Sequence, residues 1–278
     1  MKRFLLVLAT LIAFSGFAMN ASAAYLTGGD ATDKDSADVI LDIAFAIDTS
    51  SSMNDEASEI STAMNNLVTN LACPDCDVWI QATFYGINGS YTGLFDQVLN
   101  GSAVNHDEDN APAVNDLLSS AYASSWMVGG AAAGQDYYKA IVTIGDEGTE
   151  DGYPIEQNDW AAAYSANQAA IGAGVMIFSM VGTPWASYAS DAPNRDDVFQ
   201  AMAIGGTGGG YTFGATGGTF VSTATSVSGS ASTVEADLEA IICTAAGGGT
   251  GATVPEPATM LLFGVGLIGL AGFSRKKV

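Results

Sequence analysis

The chain is short of positive charge. Of 278 residues, 8 are Lys or Arg and one is His, against 30 Asp and Glu. Between residues 25 and 253 the only bases are Lys34, Lys139 and Arg195; facing 29 acids, they leave that stretch 26 net negative charges. No basic patch can form there to neutralise phosphates, which excludes nucleic acid as a partner. Two readings of the acidity remain: it keeps the protein soluble and monomeric, or it serves to attract divalent cations. One histidine, His106, cannot build an imidazole zinc site. The run Gly205–Gly210 lacks the Lys and Ser/Thr that would complete a phosphate loop. No nucleophile and base stand at a recognisable spacing, so a binding protein rather than an enzyme is expected, with a metal-dependent hydrolase the remote alternative.

The two ends carry the next information. Lys2 and Arg3 precede the apolar run Phe4 to Phe14, and the small residues Ala21-Ser22-Ala23 follow. A basic head, a short apolar stretch and an A-x-A-like exit read as a secretory signal peptide over 1–24, cleaved near Ala23 or Ala24. At the other end, Val254-Pro255-Glu256-Pro257 leads into the apolar stretch Ala258 to Phe273, and Arg275-Lys276-Lys277 follow. The prolines favour an extended, accessible segment, the apolar run fits a bilayer core, and the basic tail stays cytoplasmic. Residues 254–278 resemble the PEP-CTERM sorting signal. The resemblance implies recognition by an exosortase in a Gram-negative bacterium and transient anchoring in the inner membrane by the C-terminal helix. Cleavage near the triplet and transfer to the outer surface or the exopolysaccharide matrix would follow. Export also bears on Cys73, Cys76 and Cys243. An oxidising compartment favours a structural bridge, either within Cys73-Pro74-Asp75-Cys76 or from it to Cys243, and spacing leaves the pairing open.

Between the ends, residues 25–37 read as a flexible lead-in, 38–245 as one domain and 246–253 as a Gly/Thr linker. Val39 to Ile47 (VILDIAFAI) is a short apolar run typical of a strand buried on both faces. Ile60, Met64, Leu67 and Leu71 form one helical stripe within 55–71. Strands are expected at 78–85, 93–99, 139–144, 174–181 and 219–222. Helices are expected at 112–123, 158–171, 195–204 and 233–245, with Gly-rich turns over 205–218. Alternation of this kind predicts an α/β fold: a doubly wound, mostly parallel central sheet flanked by helices, with ligands beyond the carboxyl ends of its strands.

The candidate chemistry sits at such an end. Asp48-Thr49-Ser50-Ser51-Ser52 follows the first buried strand, and a turn there aims two hydroxyls, two residues apart, beside a carboxylate. Hard oxygens around an acid suit a divalent cation, Mg²⁺ first, with Mn²⁺ or Ca²⁺ as alternatives; a Ser/Thr/Asp cluster also serves as a plain helix N-cap. D-x-S-x-S at this place resembles the metal-ion-dependent adhesion site of the von Willebrand factor type A family. The resemblance covers roughly Val39 to Ala245 and includes Asp42 and Met53. It implies a Rossmann-like fold and a metal held by Asp48, Ser50, Ser52 and an acid after the fourth strand, here Asp146 with Glu147 as its competitor. The family's loop threonine is missing: Glu108 falls at its position with Asp109 beside it, and both become less certain ligands. His106-Asp107-Glu108-Asp109 also reads as a solvated acidic loop favouring the next helix N-terminus. The expected function is a cell-surface module binding a protein or exopolysaccharide partner through the cation; the alternative is a structural matrix component with a closed metal site.

Overall fold

The computed structural model describes residues 24–50, 52–53, 59–60, 62–67, 71, 73, 76–87, 109–182, 190–222 and 231–250. The expected signal peptide, the strand at 93–99, Glu108 and the sorting tail lie outside the described residues.

The strands are β1 (Ala24–Gly28), β2 (Val39–Ile47), β3 (Val78–Gly86), β4 (Asp136–Gly145), β5 (Met176–Val181), β6 (Gly206–Gly208), β7 (Tyr211–Phe213) and β8 (Phe220–Ser222). The helices are α1 (Asn110–Leu118), α2 (Ala123–Trp126), α3 (Gln157–Ala173), α4 (Ala192–Ile204) and α5 (Ala231–Ala246), with residues 59–60 and 62–67 also helical. Six strands form one sheet in the order β1-β3-β2-β4-β5-β8. All pairs are parallel except β1 with β3. The fold is therefore the expected α/β type with a mostly parallel sheet.

The sheet is covered on both faces, and the alternation of side chains along β2 divides the core. Leu41, Ile43, Phe45 and Ile47 face one layer, made by Ile60, Ala63, Met64 and Leu67 together with Val234, Leu238, Ile241 and Ile242 of α5. Ala44 and Ala46 face the other, where α1, α2, α3 and α4 pack. Burial on both sides is why β2 reads as continuous apolar sequence rather than alternation. Each large side chain so buried contributes roughly 2 kcal/mol.

Several expectations are corrected. The lead-in at 25–37 opens with strand β1, whose antiparallel register sets Ala24 against Ala82 and Gly28 against Val78. Tyr25 stacks on Trp79, with ring centroids 5.2 Å apart, so this polar, Gly-rich start is held by its neighbour strand. The helix expected at 112–123 begins at Asn110 and stops at Leu118, because Ser119 turns extended (ψ 158°). The glycine-rich turns hold a small hairpin, β6–β7. The Thr216-Gly217-Gly218 turn leads into β8, and a Cβ on Gly218 would collide with the Ile177 carbonyl, so only glycine allows this approach. The linker at 246–253 is docked in its first part: Thr250 N–H donates to Gly217 O at 2.8 Å and its hydroxyl to Gly218 O at 3.0 Å.

Of the alternatives left open for cysteine, the bridge joins Cys73 to Cys243, with 170 residues of sequence separation. Cys76 lies outside it. Closing so long a loop stabilises the fold by roughly 5 kcal/mol in the chain-entropy account.

Candidate functional site

β2 connects to β3 on one side, while β4 lies on the other side of β2. The chain thus reverses its winding between β2 and β4, and the crevice beyond their carboxyl ends is where α/β sheets receive ligands. Asp48 follows β2 there, and Asp146 follows β4. Asp48 N–H donates to Ile144 O at 2.8 Å, which ties the two strand ends together.

The side chains of four residues named from sequence meet at this crevice. Asp48 Oδ1 accepts from Ser50 N–H at 2.7 Å, Ser50 and Ser52 hydroxyls lie 2.7 Å apart, and the Ser52 hydroxyl donates to Asp146 Oδ1 at 3.1 Å. Asp48 and Asp146 are both fully buried, Ser50 nearly so, and Ser52 is half-buried. Asp48 Oδ2 has no hydrogen-bond partner. Burial first, and the negative charges of Asp146 and Glu147 after it, hold the Asp48 carboxyl well above its ordinary value, against the donors of Ser50. Two buried carboxylates facing a pair of hydroxyls are unfavourable as they stand, and a divalent cation among hard oxygens removes that penalty. Among the described residues no group of three or more His, Cys, Asp or Glu is placed to hold a metal ion. The donor set is two carboxylates and two hydroxyls, which suits a hard cation and not zinc.

Asp109 is buried at the start of α1, and Ala111 N–H donates to Thr149 O at 3.0 Å, holding that helix start to the loop after β4. Glu147 is half-buried while Asp146 is fully buried. Asp42 stands apart from the crevice, in mid-strand. Its Oδ2 accepts from Tyr137 O–H at 2.6 Å and Gly129 N–H at 2.7 Å.

Sequence reasoning missed the residues that shape the crevice from behind. Arg195 of α4 is fully buried, and its Nη1 donates to the carbonyls of Asp146 at 2.7 Å and Gly182 at 2.9 Å. Its Nη2 pairs with Asp196 Oδ1 at 2.7 Å, and Asp196 Oδ2 accepts from Ser222 of β8 at 3.2 Å. One guanidinium thus clamps the carboxyl ends of β4 and β5 to α4. Its signal in the sequence was rarity, as one of three bases in a strongly acidic stretch. Asp159 performs a similar task for the next loop, its Oδ1 accepting from Thr149 N–H at 2.8 Å and Glu150 N–H at 2.9 Å, its Oδ2 from Glu156 N–H at 2.9 Å.

Fold and crevice together define an α/β domain with an acidic, hydroxyl-lined rim at its switch point. The comparison with known families adds where the protein goes: residues 253–276 match the PEP-CTERM protein-sorting motif. Such motifs are recognised by exosortase and direct an exported protein toward the cell envelope or surface. A comparison with curated proteins returns no match. Among the described residues no helix is long and apolar enough to cross a membrane; the apolar stretch expected to anchor the chain, 258–273, lies outside them.

Proposed function

We propose that the domain is a cell-surface binding module that takes a divalent cation, Mg²⁺ first, on Asp48, Ser50, Ser52 and Asp146, and uses it to hold a protein or polysaccharide partner. The observation that carries this reading is the chain of contacts from Asp48 through Ser50 and Ser52 to Asp146, which joins two strand ends across 94 residues of sequence around a carboxylate oxygen with no partner. D-x-S-x-S after a first buried strand, a second acid after β4 and the doubly wound sheet support the likeness to von Willebrand factor type A domains. The bound cation supplies a Lewis-acidic position for an oxygen of the partner. The chain's own part is to place the two carboxylates and aim the hydroxyls, with Arg195 bracing the Asp146 backbone from behind.

Placement of the ends supports the same reading. Gly248 lies against Tyr138 near the start of β4, and Thr250 is bound to Gly217 and Gly218 beside Ile177 at the start of β5. The sorting motif begins three residues later, at residue 253. The last described residues are therefore docked at the amino end of the sheet, opposite the crevice, which leaves the crevice clear of them.

Deep burial of Asp48, Ser50 and Asp146 favours a second reading, in which the ion is structural and closed. Calorimetric titration of Mg²⁺, Mn²⁺ and Ca²⁺ into wild type and Asp48→Ala tests both. Binding heat in wild type that disappears in the variant supports the site; equal heats in the two remove it. Surface retention or partner capture that survives chelation selects the closed structural ion instead.

A further inference from the structure

Asp48 lies just past β2, and its N–H bond to Ile144 O at 2.8 Å carries the β2–β4 ladder one step beyond its last pair. β2 and β4 pair as Ala44 with Ile141, Ala46 with Thr143 and Ile47 with Ile144, so one further step sets Asp48 beside Gly145. Side chains alternate along each strand. Positions 44, 46 and 48 of one strand therefore share a face with 141, 143 and 145 of the other. Ala44, Ala46 and Ile141 belong to the core layer that α1 covers, so that face at the crevice is where α1 begins.

The first residue of α1 is Asn110, which is fully buried. A Cβ on Gly145 would come within 2.5 Å of Asn110 Nδ2; the amide occupies the space that a side chain at 145 would fill. Neither Asn110 Nδ2 nor Oδ1 has a hydrogen-bond partner, and Asp48 Oδ2 has none either. A buried amide left unpaired costs about 1–3 kcal/mol, and an unpaired buried charge more, unless a third group satisfies both. Water or a cation could fill that role, but only a cation also offsets two neighbouring carboxylates. An amide oxygen is an ordinary ligand for such an ion, and a half-turn of the terminal torsion exchanges the amide's oxygen and nitrogen.

We propose that Asn110, admitted by the missing side chain at Gly145, supplies a neutral amide oxygen to the cation held by Asp48, Ser50, Ser52 and Asp146. The inference rests on the cation site proposed above. It gives this chain its own third contributor, from α1, in the region where sequence reasoning expected the acid Glu108. With two carboxylates and neutral oxygens around it, a divalent ion is balanced in charge within the site.

Titration calorimetry of the full chain with Mg²⁺ and with Mn²⁺ tests it, on wild type, Asn110→Ala, Asn110→Asp and Asp48→Ala. Asn110→Ala is expected to weaken both ions by about tenfold or more, since even partners that only orient a metal ligand contribute 10–100-fold. Its metal-free melting temperature should stay close to wild type, because the deleted amide made no hydrogen bond. Asn110→Asp keeps an oxygen at the same place and adds charge, so it should bind at least as tightly as wild type. Wild-type affinity in Asn110→Ala, with binding lost in Asp48→Ala, overturns the role of Asn110 and leaves the site standing. Weaker binding by Asn110→Asp than by wild type overturns it as well, and this arm remains readable should Asn110→Ala fail to fold. Absence of binding by wild type removes the site and this inference with it.

Discussion

At the amino end of the sheet the chain is fastened; at the carboxyl end its polar groups converge without being fully satisfied. Cys73, whose Cβ lies 3.0 Å from where one on Gly28 would sit, is bridged to Cys243 of α5 at the amino end. Gly28 pairs with Val78 there, and Thr250 closes on Gly217 and Gly218. Lys139 Nζ caps α3 through the Ala173 carbonyl at 2.5 Å. At the carboxyl end Asp48 Oδ2 and both polar atoms of Asn110 are buried with no partner. The polar groups named at the amino end are paired, Asp42 excepted, whereas at the carboxyl end unpaired atoms gather beside Asp48 and Asn110, in violation of the demand that buried polar groups be paired. Proteins tolerate such a violation where function needs the unpaired groups. With a cation at the proposed site, the contrast separates stability from binding along one set of strands.

If the separation is real, the largest stability loss should come from the fastened end and leave cation binding alone. Replacing Cys73 and Cys243 together by Ser is expected to lower stability by roughly 5 kcal/mol. Thermal unfolding should register this while Mg²⁺ affinity of the folded protein stays within about twofold of wild type; a parallel loss of affinity would show that the two ends are coupled. Next in size is Arg195→Met, which removes the guanidinium from under Asp146 and strands two backbone carbonyls. A loss of about 3 kcal/mol in denaturant unfolding is expected, here accompanied by weaker cation binding because the Asp146 backbone is no longer braced. Arg195→Lys should recover little, since a point charge cannot span both carbonyls and Asp196 as the fork does.

The smallest effect tests the exception to the comparison. Asp42 lies in the amino half of β2, yet its Oδ1 has no hydrogen-bond partner. Burial is the main cause that holds its carboxyl above the ordinary 3.8, with the Tyr137 and Gly129 donors opposing. A folded value above the unfolded one means the folded state binds the proton more tightly. The contribution of Asp42 to stability is therefore greatest below pH 3.8 and declines as pH rises through the folded value. Asp42→Asn cannot lose a proton, so melting temperatures measured from pH 3.5 to 7 should show the variant gaining on wild type as pH rises. A constant difference across that range would mean that Asp42 is not proton-linked to folding.

Much of the fold was legible because burial leaves a periodic trace. β2 and β4 are apolar runs since both faces are covered, and Val234, Leu238, Ile241 and Ile242 mark one face of α5. β1 was not legible: Ala24-Tyr25-Leu26-Thr27-Gly28 has little to bury, and its place on the sheet edge comes from backbone pairing with β3 and from Trp79. Within the crevice, Asp48, Ser50 and Ser52 were readable because they are contiguous, and Asp146 because it ends a run of the same type. Arg195 and Asn110 were not, for each acts on a backbone or a gap contributed by a distant segment.

What the sequence by itself determined is what is local: sorting at residues 253–276, the scarcity of positive charge between residues 25 and 253, the strands with two buried faces, and the contiguous oxygen-bearing residues after β2. The tertiary structure alone decided which of the three cysteines pair, that the start of the body is a strand and its end a docked segment, and that an asparagine fills the gap left by a glycine 35 residues away in sequence. The division follows from the range of the forces. Periodicity and turn chemistry act over a few residues of chain. Pairing, burial and charge compensation act over a few ångströms of space, which only folding brings together.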